Sequence, residues 1–141
     1  MDAALCSIYN DLDGMNVDVA ELKLKANTAI AFFDNFLVID RSKCETSSQE
    51  RTVLAHEAGH YISGAFYHAY SPYELKEQSE HKAFAASVEK YLPVKEIQEC
   101  YKIGLTEPWQ LAEHFNLEED YIKEALRYWT ECKGINFNHF L

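Results

Sequence analysis

The chain has 141 residues, a formal net charge of −10, and a composition that is 48% hydrophobic and 13% aromatic. That apolar content is enough to bury a core and excludes a disordered chain. The acidic balance argues against nucleic acid or an anionic membrane as partner, because a surface of that sign repels phosphate.

The opening "MDAALCSIYNDLDG" has neither the basic region nor the apolar run of a signal peptide. No stretch approaches the roughly 18 apolar residues of a membrane span. Cys6, Cys44, Cys100 and Cys132 are widely spaced and form no CxxC pair, which reads as reduced thiols. The expectation is a soluble, cytoplasmic protein.

In chain order, Ala4, Ile8 and Leu12 give helical spacing across Asp2 to Leu12. "DLDGMN" ends that helix. Asp11, Asp13 and Asn16 do not make a calcium loop, since Gly14 is misplaced and no glutamate closes twelve positions. A strand is expected near Val17 to Leu22. "AIAFFDNFLVID" (Ala29 to Asp40) reads as a hairpin turning at Asp34-Asn35. Thr46 with Gln49, or Ser47 with Glu50, can cap a helix running to about Phe66. Ser71 with Glu74, and Pro72 at the first helical position, open a second helix that Pro93 stops after Tyr91. A third helix spans Val94 to Ile103 and ends at Gly104; two more lie near Glu107 to His114 and Glu118 to Thr130. The expected fold is α+β: a small antiparallel sheet beside the helix after the hairpin, over residues 1–92, and an all-helical C-terminal module over 93–141.

The chemistry concentrates in "TVLAHEAGHYISGAFY". Positions i and i+4 share a helix face, so His56 and His60 can point two imidazoles at one ion. Glu57, about 100 degrees around the helix, reaches water activated by the ion without ligating it. This is the HExxH arrangement of two zinc ligands and a general base, and it gives a zincin-like expectation for the fold. The surrounding Val53, Leu54, Ala55, Ala58, Tyr61 and Ile62 make burial expected, and buried imidazoles and carboxylates need partners. A catalytic zinc takes a third protein ligand. Glu80, in line with Phe84, Ser87, Val88 and Tyr91, is the candidate; Glu77 and His81 are its rivals.

"RTVLAHEAGHYISGAFYHAYSPYELKEQSEHKAFAASVEKYLP" resembles the ImmA/IrrE-type metallopeptidases of bacteria, phages and mobile elements. The likeness covers "LVIDRS", the motif helix, "YSPYEL" and the helix closed by "KYLP", and extends more weakly through "GLTEPWQLAEHF". It implies that Glu80 is the glutamate ligand and Ala83 the usual small residue. It further implies a substrate that is a helix-turn-helix transcriptional repressor, cut once. In one respect the chain departs from the pattern. Phe84 stands where that family commonly has Asp or Asn, a residue suited to orienting a ligand histidine.

Tyr67, His68, Tyr70 and Tyr73 are candidate oxyanion donors, although packing is the better reading for any single tyrosine. Trp109 and Trp129 fit apolar helix faces and are expected in the core; His114 and His139 are expected at the surface. Thr106 to Trp129 scans like a helix-turn-helix in which Leu111, Ala112 and Phe115 pack against Leu117, Ile122 and Leu126. Six acidic residues there face only Lys123 and Arg127, so a packing or partner-docking module is expected and a DNA reader is not. The functional expectation is a zinc endopeptidase acting on a cytoplasmic protein. Two rivals stand beside it: a catalytically impaired pseudo-peptidase that regulates a partner, and an acidic binding module.

Overall fold

A computed structural model describes residues 2–68 and 70–137. It is an α+β structure that divides into two compact units, Met1–Ser87 and Val88–Leu141, a break placed earlier than the expected one at Pro93. His139 lies outside the described residues.

The first unit opens with α1 (Ala3–Gly14), capped by Asp2, whose carboxylate accepts from Leu5 N–H at 2.8 Å. Leu5, Ile8 and Leu12 form its buried stripe. Three strands follow: β1 (Asp18–Glu21), β2 (Ala29–Phe32) and β3 (Phe36–Ile39). The hairpin of β2 and β3 is as expected. It is antiparallel, pairs Ile30 with Val38, and turns at Asn35 in the left-handed region (φ 63). The sheet as a whole is not antiparallel. β1 pairs parallel with β3, Val19 opposite Leu37, so the sheet is mixed with order β1-β3-β2. The parallel pair requires a return connection, and Asp40 secures its end. Its buried carboxylate accepts from Leu24 N–H at 2.9 Å and from Ser42 N–H at 3.2 Å.

β3 is therefore the central strand. Leu37, Val38 and Ile39 alternate faces and are all buried, so both faces of the strand are covered. The edges fall to β1 and β2. A short 3₁₀ turn at Arg41–Lys43 leads into α2 (Ser47–Ser63). Of the two possible caps, Thr46 is used; its hydroxyl accepts from Gln49 N–H at 3.1 Å. Glu50 serves elsewhere, accepting from the Tyr9 hydroxyl, which also accepts two bonds from Arg41. The helix stops at Ser63, before the expected Phe66, because Gly64 takes the left-handed cap (φ 71). Next comes α3 (Tyr73–Tyr91), which begins in this unit; the Pro72 carbonyl accepts its first bond from Lys76 N–H.

In the second unit, α4 (Val94–Lys102), α5 (Pro108–Phe115) and α6 (Glu119–Arg127) follow, then a wider π turn over Tyr128–Cys132. Leu111, Leu117 and Ile122 are buried as expected, while Ala112, Phe115 and Leu126 are half-buried. Asn116 turns the chain between α5 and α6 with φ 54. Trp109 is not in the core: it is 52% exposed. It lies about 200 degrees around α5 from buried Leu111, on the opposite face. Trp129 is half-buried, and its indole N–H donates to the Leu92 carbonyl at 2.9 Å.

Candidate metal centre

α2 carries His56, Glu57 and His60, and α3 carries Glu80. What brings the two helices together is Gly59. A Cβ on Gly59 would lie 1.9 Å from the Ala83 carbonyl oxygen and 3.2 Å from the Ser87 Cβ. Backbone meets backbone here, with Ala83 and Ser87 fully buried beneath. The approach sets Glu80, three residues before Ala83, beside the two histidines.

His56 Nε2 lies 2.6 Å from Glu80 Oε2, and His60 Nε2 lies 3.4 Å from Glu80 Oε1. One ligand atom from each residue lies within 4.8 Å of the other two. Donors around a tetrahedral ion with bonds of about 2.0–2.2 Å sit about 3.4 Å apart, so the cluster is near the required size. Two imidazoles and a carboxylate are also a donor set that divalent metals accept. The group could hold a metal ion.

The ring of His60 is buried and oriented. Its Nδ1–H donates to the Ala65 carbonyl at 2.6 Å, which turns Nε2 toward the cluster. The Ala65 carbonyl thus orients His60. His56 is more open, with 29% of its side chain exposed. Glu57 is half-buried next to the same groups. Burial raises its pKa, against the charges of His56 and His60, which lower it. Glu80 goes the other way. Hydrogen bonds from His56 and then His60 hold its carboxyl well below the usual carboxylate range, outweighing burial.

Neither rival for the third ligand joins the cluster. Glu77 is exposed and accepts from the Tyr73 hydroxyl, and His81 is exposed. Both line a shallow depression of about 480 Å³ that also reaches Glu80. Of the candidate oxyanion donors, Tyr67 alone is hydrogen-bonded to a cluster residue among the described contacts: its O–H donates to Glu80 Oε1 at 2.7 Å. His68 closes a local turn, accepting from Tyr70 N–H through Nδ1, and Tyr70 is 93% exposed. The signal for Tyr67 was the glycine cap at Gly64, which ends α2 early, so that Ala65, Phe66 and Tyr67 lie back against His60.

No family model, no curated protein and no solved structure matches this chain. Among the described residues no helix is long and apolar enough to cross a membrane.

Proposed function

We propose that this protein is a zinc-dependent endopeptidase with a zincin-like catalytic unit, acting on a cytoplasmic protein. One observation carries the reading: His56, His60 and Glu80, from two helices, bring their ligand atoms within 4.8 Å of one another, with Glu57 beside them. Such a site is costly to assemble for packing alone, since it draws polar groups out of water. Zinc supplies Lewis acidity, which polarises a carbonyl and makes water nucleophilic near neutral pH. His56, His60 and Glu80 would hold it, and Glu57 would take the proton from the attacking water onto its carboxylate.

The substrate peptide would lie along β2. This edge strand precedes β3 and leaves one row of backbone groups without a strand partner, which suits an extended peptide. β3 cannot offer such an edge, because it is paired on both sides. The sequence's likeness to ImmA/IrrE-type peptidases makes a helix-turn-helix repressor the proposed substrate.

Phe84 favours a second reading, a pseudo-peptidase that binds metal and a partner without cutting. Co-expression with the repressor encoded nearest this chain's gene separates the two. The proposal expects a single cut with the wild-type chain. Glu57→Gln should retain zinc and slow the cut by about a hundredfold or more, the usual scale for a lost general base. A zinc-loaded wild-type chain that binds the repressor and leaves it intact would establish the regulator instead.

A further inference from the structure

The turn leaving α2 touches two of the three prospective ligands. Gly64 caps the helix, and the Ala65 carbonyl then meets His60 Nδ1 at 2.6 Å. The Phe66 ring lies 5.9 Å from that of His60 and 5.3 Å from that of Tyr61. The Phe66 carbonyl accepts from Ser79 Oγ at 3.4 Å, which ties the turn to α3 one residue before Glu80. Tyr67 then extends its hydroxyl to Glu80 Oε1 at 2.7 Å.

We infer that Tyr67 is a positioning residue for this metal centre, its hydroxyl holding the Glu80 carboxylate in the orientation that faces His56 and His60. The inference rests on the metal-site reading above. Its physical basis is the freedom of Glu80. The side chain is 40% exposed and has three rotatable bonds, so on α3 alone it would sample water-facing rotamers. A tyrosine ring is stiff, with two side-chain torsions, and its hydroxyl is a directional donor. Donation to Oε1 leaves Oε2, already 2.6 Å from His56 Nε2, as the oxygen directed at that histidine. Tyr67 is itself 41% exposed, and its ring stands edge-on to that of His60 at 6.4 Å, with its hydroxyl reaching past to Glu80. The Ala65 carbonyl and the Tyr67 hydroxyl thus orient one ligand from each helix, and both come from one short turn.

The test is zinc affinity, measured on the full chain by competition with a chromophoric chelator. Tyr67→Phe removes only the hydroxyl. Zinc binding should weaken about 10- to 100-fold, the range for lost partners of metal ligands. The melting temperature of the metal-free protein should not change. Tyr73→Phe, whose hydroxyl meets Glu77 instead, should bind zinc like wild type. In a Glu80→Ala background, Tyr67→Phe should have no further effect on affinity. Wild-type affinity in Tyr67→Phe would overturn the inference while leaving the metal site standing. An undiminished effect in the Glu80→Ala background would overturn it too, since the hydroxyl would then act elsewhere. A wild-type chain that binds no zinc would remove the site and this role together.

Discussion

Two helices, α6 and α2, use their buried faces in opposite ways. α6 buries Tyr121, Ile122 and Ala125 and turns Glu119, Asp120, Lys123 and Glu124 to solvent, a sharp apolar stripe. α2 buries Leu54, Ala55, Ala58, Gly59 and His60, a face of mostly small residues that ends on an imidazole. α6 is built to fill space. α2 gives up side-chain volume so that α3 can come close, and it buries a polar ring that needs the Ala65 carbonyl to be satisfied. A helix that buries residues poor at packing is one whose sequence answers to something other than packing.

The contrast can be sharpened by substitution. Ile122→Ala should have the largest effect on stability. It empties a fully buried site in the second unit and should cost about 2–5 kcal/mol in denaturant unfolding. Zinc bound per folded chain should be unchanged, and a parallel loss of metal would break the division of labour between α6 and α2. Gly59→Ala should cost less in stability but damage the site. Alanine is the better helix former by about 1 kcal/mol, yet its methyl would meet backbone at 1.9 Å. The carbonyl of Ala83 cannot swing away like a flexible side chain, so α2 and α3 should separate. A net loss of about 1–3 kcal/mol is expected, with zinc affinity falling as Glu80 moves off the histidines. Unchanged affinity in a folded Gly59→Ala chain would show that helix approach does not set the ligand spacing. Smallest of all should be Trp109→Ala, on the order of 0.5 kcal/mol, because Trp109 faces outward from α5. A melting temperature that collapsed in this variant would return Trp109 to the core.

The site was more legible than the sheet. The choice of Glu80 over Glu77 and His81 rests on the family resemblance, while His56 and His60 follow from a spacing of four on one helix, a local periodicity fixed by backbone geometry. The hairpin was legible for the same reason, since Asp34-Asn35 sits between two apolar runs. Parallel pairing of β1 with β3 was not, because nothing within β1 specifies its partner's direction; that depends on the 22–28 connection and the Asp40 bonds that close it. Trp109 was misplaced because an aromatic residue beside Leu111 looks apolar in sequence but lies on the other side of the helix. The contact of Tyr67 with Glu80 depends on where α2 stops, and the end of a helix is set by one left-handed glycine rather than by the pattern before it.

The central claim is that the third ligand is Glu80 and that the three side chains form one metal site. Elemental analysis of the wild type, Glu80→Ala and His81→Ala, each purified without chelator, tests it most directly. The account predicts close to one zinc per chain in the wild type and in His81→Ala, and loss of most zinc in Glu80→Ala, because two histidines alone make a poor site. Zinc retained in Glu80→Ala and lost in His81→Ala would contradict it.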